Sequence, residues 1–332
     1  MKNKKFVLIG GGTGSSVLLS GLKKLTPNIT AIVSTSDDGG SNFKIRKDFG
    51  IIPPSDLRQC LLALANVKGP LLELFNYRFS KGDFSGHTTG NIIFAALSEI
   101  YSSPEVALEE LSKLLNITGE VLPVTLKPTI LSAVLENGKK IVGEHLIDEP
   151  SFINGSLGKP SKIKELTLTP NVPVNPKVLA AIKTANVIIF GPGDLFTSTI
   201  PNLLVKGVKE EVNKSKAKKV LVTNLMTKHG QTDGFAASDF VKVLEQYLNG
   251  KIDYVLTNNK KPSKNILKKY TQEKAKFVEA DVSELARLKV ESIIQNFISN
   301  EVVGLKKGDV LKRSMIRHES NKLAKIIWHI AE

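Results

Sequence analysis

The stretch KKFVLIGGGTGSSVLLSGLKKL, residues 4–25, decides the fold. Lys4–Ile9 reads as a short buried strand: four consecutive apolar residues, Phe6 to Ile9, follow two lysines. Gly10-Gly11-Gly12-Thr13-Gly14 is a turn that glycines make at little steric cost. From Ser15 to Leu25 the apolar residues Val17, Leu18, Leu22 and Leu25 fall at helical spacing. Strand, glycine turn and helix in that order open a nucleotide-binding α/β unit. The backbone N–H groups of such a turn, with the positive end of the helix behind them, favour a phosphate or another anion. Two standard fingerprints are not met. Counting from Gly10, the sixth position is Ser15 rather than Gly, and no Gly-Lys-Ser/Thr follows. The turn therefore specifies neither NAD nor a P-loop nucleotide, and close packing of helix on strand remains the alternative use of its glycines.

Outward from this unit the same rhythm recurs. Ile29–Ser34 is predicted as a strand ending at Asp37-Asp38-Gly39-Gly40. A loop-rich stretch runs to Pro54, and a helix follows over Ser55–Ala65 with Ser55 or Asp56 as its cap. Further helices are predicted at Leu71–Phe75, Ile92–Ile100 and Pro104–Leu115. Between 120 and 170 the character changes. Leu131–Glu136, Asn137-Gly138 and Lys139–Gly143 form a hairpin signature with a type I′ turn. Val121–Lys127 and Ile163–Leu168 read as companion strands. Strands then return at Ala185–Phe190, Lys219–Asn224, Ile252–Thr257 and Ala275–Val278. Helices are predicted within Ser198–Val212 beyond Pro201, and at Ser238–Leu248, Pro262–Tyr270 and Glu319–Ile330. The expected architecture is α/β, a Rossmann-like three-layer parallel sheet with a small inserted antiparallel β subdomain at 120–170, all in one domain spanning 1–332.

The polar residues cluster at the ends of predicted strands, where open α/β sheets bind ligands. Asp37 and Asp38 could bind ribose hydroxyls, hold Mg²⁺ beside bound phosphates, or shape the loop as an Asx-turn. Gly86-His87-Thr88-Thr89-Gly90-Asn91 forms a second polar turn before a helix. His87 there is a candidate acid, base or phosphate donor, with Asn91 beside it. Gly191-Pro192-Gly193-Asp194 begins a third, continuing to Ser198 and Asn202. Asn224 ends a further strand, and Arg317-His318 precedes the last helix. Arg46, Arg58 and Arg78 are three of six arginines against 40 lysines. Their forks suit phosphate or carboxylate, and surface ion pairing is the other reading of each.

Composition narrows the function classes. The chain has 332 residues, 41% hydrophobic and 23% charged, which are globular values that exclude a disordered or fibrous protein. The net charge is +14, but aromatic residues make up only 6% and the lysines are scattered. Attraction of small anions is therefore expected, and nucleic-acid binding is not. No apolar run is long enough for a membrane span, and the apolar run near the N-terminus is too short for a secretory signal. The single cysteine, Cys60, can form no internal disulfide, and no Cys/His cluster suggests zinc. A cytoplasmic protein is expected.

Taken together, the segments VLIGGGTGSSVLLSGLK, STSDDGGS, GIIPPSDLRQCLLALA, GHTTGN, GPGDLFTSTIPNLLV, NLMTKHGQTDGF and RHE resemble the bacterial gluconeogenesis factor family, YvcK-type, of the CofD-like superfamily. The resemblance spans nearly the whole chain, with local departures at Asn42-Phe43, Ser55, Gln59 and Asp194. It implies a Rossmann-like three-layer fold and a UDP-sugar ligand, with UDP-N-acetylglucosamine expected. The implied role is regulation of cell shape and of growth on gluconeogenic carbon sources, in the cytoplasm. By this resemblance Thr13 and Asn202 contact the nucleotide-sugar and Arg317 contacts its diphosphate or sugar. Tyr270 is a further candidate from a segment that aligns less well.

The expected nucleotide-sugar site is Gly11, Gly12, Thr13, Gly14, Asp37, Asp38, Asn91, Gly191, Gly193, Asn202 and Arg317. Arg58, His87, Ser198, Asn224 and Tyr270 are second-rank candidates. Asp37 and Asp38 are the candidate Mg²⁺ ligands, and no other cofactor is expected. Regulatory proteins and further copies of the chain are the expected macromolecular partners. The superfamily's enzyme branch resembles 2-phospho-L-lactate transferase, so a Mg²⁺-dependent phospholactyl or phosphoryl-type transferase is the alternative. The tryptophan-glycine segment expected of its deazaflavin pocket is missing, and Trp328, in the last helix, reads as core.

Overall fold

Ten strands frame the chain in a computed structural model that describes residues 3–149, 161–300 and 315–332. They are β1 (Phe6–Gly10), β2 (Ile29–Val33), β3 (Glu120–Pro123), β4 (Ile130–Leu135), β5 (Lys140–Val142), β6 (Ile163–Thr169), β7 (Val187–Phe190), β8 (Lys218–Val222), β9 (Tyr254–Asn258) and β10 (Glu291–Gln295). Seven form one sheet in the order β10-β9-β8-β7-β1-β2-β3, and every pairing within it is parallel. The order reverses at the centre: after β1 the chain first builds β2 and β3 on one side, then β7 to β10 on the other. The carboxyl ends of β1 and β7 form the topological switch point, the place where such sheets bind ligands.

Both faces of this sheet are covered, which is why its strands read as continuous apolar runs. Alternate residues divide between the two faces. Val7, Ile9, Ile188 and Phe190 belong to one core with the helices Pro176–Thr184, Ile200–Leu204, Val208–Lys214 and Ala237–Leu248. Phe6, Leu8, Val187 and Ile189 belong to the other, with the helices Thr13–Leu22, Pro54–Leu64, Thr89–Ile100, Pro104–Leu114 and Ser320–Ile330. The helix Ser320–Ile330 lies on Thr13–Leu22, and Trp328 stacks on Phe6 with ring centroids 5.5 Å apart. The antiparallel sheet, β5-β4-β6, contributes Leu131, Ala133, Ile141 and Leu166 to the first core.

The α/β class, the three layers and the small antiparallel sheet agree with the reading of the sequence, while several elements depart from it. Val121–Lys127 was expected in the antiparallel subdomain, but its strand, β3, pairs parallel with β2 at the edge of the main sheet. The hairpin turn is not type I′. Gly138 has φ +83°, Asn137 does not take positive φ, and Val134 pairs with Lys140. Leu135 N–H donates to Lys139 O and Gly138 N–H to Leu135 O, giving a three-residue connection with glycine in the left-handed position. The loop-rich stretch before Pro54 holds a helix, Gly40–Phe49. Its buried residues are Ser41, Asn42 and Ile45, so it shows no apolar stripe. The helix Pro54–Leu64 begins with Pro54 in its first turn and has no side-chain cap, so Ser55 and Asp56 are released for other contacts. Ala275–Val278 is not a strand; Phe277 forms only an isolated bridge with Met226. The region after Gly193 passes through a π-helical turn, Leu195–Thr199, before Ile200–Leu204.

Candidate functional site

At the end of β1 the glycine turn runs directly into the helix Thr13–Leu22. That helix has Gly12 at its cap position and no side-chain cap, which leaves its first N–H groups for an acceptor outside the helix. Ser15 explains the missing sixth-position glycine. A Cβ placed on Gly10 would lie 2.5 Å from Ser15 Oγ, so the close packing of helix on strand is supplied by Gly10 instead.

At the end of β7, Gly191 has φ +72° and the turn folds back over the first one. A Cβ on Gly14 would sit 2.2 Å from the carbonyl oxygen of Pro192, and a Cβ on Gly11 would sit 2.7 Å from Ser198 Oγ. The two turns are therefore in contact at the switch point. Asn202, fully buried, ties them together: its Nδ2 donates to Gly10 O at 3.1 Å and to Ser198 O at 2.8 Å. Its Nδ2 thereby braces the two turns, while its Oδ1 is buried with no hydrogen-bond partner among the described residues. Thr13 Oγ1 donates to Gln59 Oε1 at 2.7 Å, and Asp56 on the same helix accepts the N–H of Gly12.

A polar network extends from Asp56 under the end of β2. Asp37 Oδ1 accepts from Gly39 N–H at 2.9 Å and its Oδ2 from Asn42 Nδ2 at 2.6 Å. Asn42 Oδ1 accepts from Ser55 Oγ, which in turn accepts from Asn91 Nδ2 at 2.9 Å. Arg58, buried, donates through Nε to Asn91 Oδ1 at 3.0 Å, and His87 Nδ1 shares a 2.8 Å hydrogen bond with Ser41 Oγ. Arg46 donates to the carbonyls of Ser36, Asp37 and Thr129. Asp38 turns to the antiparallel side, where its Oδ1 accepts from both the backbone N–H and Nδ1 of His145 at 2.8 Å.

The remaining candidates lie on the other side of the switch point. Gly191 abuts Val222 at the end of β8. Next to it Thr223 O accepts from His318 Nε2 at 3.1 Å, which places Arg317 and Asn224 along the same rim. Burial pushes the imidazole of His318 down to about 4, so it is neutral in ordinary buffers. Tyr270 is buried with Leu225, Met226 and Ile316, and its hydroxyl accepts the N–H of Ile316 at 3.3 Å. It packs beneath that rim.

Sequence reasoning missed the acidic character of the cleft. Asp194 and Asp148 both pair with Lys228, at 2.7 Å in the first case, and Asp148 also accepts from Thr197 Oγ1 and Gln231 Nε2 at 3.1 Å. Glu144 belongs to the same electrostatic group. Burial, reinforced by neighbouring carboxylates, pushes Asp37 up to about 6 and Asp56 up to about 8, and raises Glu144 and Asp194. The charge of Lys228 is held by Asp194 and Asp148 against the effect of burial. Of these, Asp56 keeps its proton near neutral pH and presents an O–H rather than a negative charge beside the glycine turn. Apart from Asp37 beside Asp38, no local motif announces these acids, because they come from four separate segments. Among the described residues no three metal-ligating side chains come together, and Asp37 and Asp38 face different partners. They do not build a protein-only Mg²⁺ cage.

A parallel α/β sheet with two glycine turns meeting at its switch point, flanked by a small antiparallel sheet, defines the class of fold. The comparisons narrow the class. The family model of 2-phospho-L-lactate transferase CofD matches residues 6–298. The gluconeogenesis factor of Listeria innocua is 40% identical over 96% of this chain and 93% of its own length. That of Bacillus subtilis is 39% identical over 97% of this chain and 96% of its own length. A crystal structure of a UPF0052 family member from Bacillus halodurans superposes with a TM-score of 0.89, at 38% identity over 99% of each chain. This chain belongs to the CofD family, on its gluconeogenesis factor branch. Among the described residues no helix is long and apolar enough to cross a membrane.

Proposed function

We propose that the chain binds a UDP-sugar, UDP-N-acetylglucosamine in the first instance, and acts as a regulatory binding protein in the cytoplasm. In this reading it serves cell shape and growth on gluconeogenic carbon sources. The observation that carries the reading is the contact between the Gly10–Gly14 turn and the Gly191–Gly193 turn, sealed by Asn202. A diphosphate is taken at the start of the helix Thr13–Leu22, whose first N–H groups have no side-chain cap. Protonated Asp56 beside Gly12 removes the repulsion that an ionised carboxylate there would exert. Thr13 lies at this junction, and Arg317 supplies positive charge from the β8 side. The names of the relatives support a role in gluconeogenic growth.

Calorimetry with UDP-N-acetylglucosamine tests this reading. Saturable binding without turnover of the nucleotide-sugar is the expected result; no heat of binding at millimolar ligand contradicts it. The second reading, a Mg²⁺-dependent phospholactyl or phosphoryl-type transferase, is favoured by the match to the transferase family model and by Asp37, whose carboxyl titrates near pH 6. Turnover that requires Mg²⁺ and disappears in Asp37→Asn or Asp38→Asn would replace the first reading with this one.

A further inference from the structure

The Lys228 ammonium is held beside the glycine turns by two carboxylates from different parts of the fold. Asp194 follows the Gly191–Gly193 turn directly, and its Oδ2 accepts from Lys228 Nζ at 2.7 Å. Asp148 closes the short helix Glu144–Asp148, which follows β5, and pairs with the same ammonium. Thr197 Oγ1 and Gln231 Nε2 donate to Asp148 Oδ1 at 3.1 Å, which fixes that carboxylate in place. The three side chains are not sealed away: Lys228 is 30% exposed, Asp148 29% and Asp194 32%. Ser198, whose N–H donates to Asp194 O at 2.9 Å, is also the residue whose Oγ lies 2.7 Å from a Cβ placed on Gly11. The group therefore adjoins the place where the two glycine turns meet.

Its chemistry is opposite to that of the turns. Backbone N–H groups at a helix start favour an anion. Two carboxylates on one ammonium leave a surplus of negative charge, and Asp37 and Glu144 stand close enough to Asp148 to feel it. The guanidinium of Arg46, the other cation near Asp37, is turned to the carbonyls of Ser36, Asp37 and Thr129. An anionic group seated against Asp148 and Asp194 would meet like charge in a setting that water only partly screens. A hydroxyl would not: the carboxylates accept its O–H and the ammonium donates to its oxygen.

Given the nucleotide-sugar reading of the cleft, on which this rests, we propose that Asp148, Lys228 and Asp194 read the sugar half of the ligand and restrict it to uncharged sugars, rejecting uronic acids and other sugars that carry a carboxylate. With the diphosphate on the helix start, the hydroxyl-bearing ring is the part of the ligand that lies against carboxylates without repulsion. The turns attract charge and the adjoining group repels it, so selectivity comes from a built-in repulsive element as well as from the attractive one.

Calorimetry of the full chain with UDP-glucose and UDP-glucuronate is the test, because the two ligands differ only in a hydroxymethyl group replaced by a carboxylate. The parent is expected to bind UDP-glucose about tenfold tighter or more. Asp194→Asn and Asp148→Asn each remove one negative charge and are expected to narrow that ratio by about threefold or more, chiefly by strengthening the binding of UDP-glucuronate. Lys228→Gln removes the ammonium and is expected to widen it. A purely structural role would weaken both ligands together and leave the ratio where it was in every variant. Should one aspartate variant fail to fold, the other and Lys228→Gln decide. The proposal is overturned if UDP-glucuronate binds the parent as tightly as UDP-glucose, if the ratio is unmoved in the aspartate variants, or if Lys228→Gln narrows it. These results leave the reading of the cleft standing. If neither UDP-glucose nor UDP-N-acetylglucosamine binds the parent, that reading fails and the sugar selectivity falls with it.

Discussion

At Gly14 a single hydrogen separates a working cleft from a clash. The Cβ of Gly14→Ala would meet the Pro192 carbonyl oxygen at 2.2 Å, and that oxygen belongs to backbone that cannot swing aside. We expect the variant to lose about 1–3 kcal/mol of stability and at least tenfold in UDP-sugar affinity; denaturant melts and calorimetry measure the two. Thr13→Val separates binding from stability. It removes one partly buried hydrogen bond, to Gln59, whose net contribution is about 1 kcal/mol. Its affinity should fall tenfold or more with only a small change in melting temperature. Asp56 gives a pH signature. Its carboxyl in the folded chain titrates near 8, above the 3.8 of the free group, so the folded state binds this proton more tightly than the unfolded state does. The resulting stability is complete below the unfolded value and is lost as pH rises through the folded one. Asp56→Asn should therefore melt higher than the parent at pH 9, with the gap closing toward pH 4. Parallel melting curves across that range would refute the assignment.

At the scale of elements, legibility followed burial. β1, β2, β7 and β8 carry apolar residues on both faces and stood out as runs, and the glycine turns after β1 and β7 were read from composition alone. The helix Gly40–Phe49 was read as loop because only Ile45 on its buried face is apolar, while Ser41 and Asn42 bond to His87 and Asp37. β10, at the sheet edge, has only Ile293 and Ile294 between polar residues and went unnoticed. The hairpin was found, but its turn was misassigned, since Asn137-Gly138 in sequence does not distinguish a two-residue from a three-residue connection. Elements also predict stability. The helix Ser320–Ile330 braces the helix that carries the first glycine turn, and Leu323 in it is fully buried. Leu323→Ala should cost about 2–5 kcal/mol, read from a chemical melt. A loss under 1 kcal/mol would mean the two helices are not packed as described.

Across the whole molecule, the chain carries a net charge of +14 yet gathers carboxyl groups from four separate segments around the switch point. Composition averages over such a feature and cannot reveal it. Long-range placement also explains why Asp56, read as a helix cap, instead meets Gly12, and why Asn202 spends its Nδ2 on tying the two turns together. What the strand-end motifs did convey was a grouping: the glycine turns at Gly11–Gly14 and Gly191–Gly193, with Ser198, are in contact at one switch point. The central claim is that the meeting turns hold a diphosphate. A crystal structure of the chain with UDP-N-acetylglucosamine tests it most directly. Diphosphate oxygens are expected within about 3.2 Å of backbone N–H groups of the Gly10–Gly14 turn, with Thr13 alongside. A diphosphate bound elsewhere, with both glycine turns untouched, would contradict it.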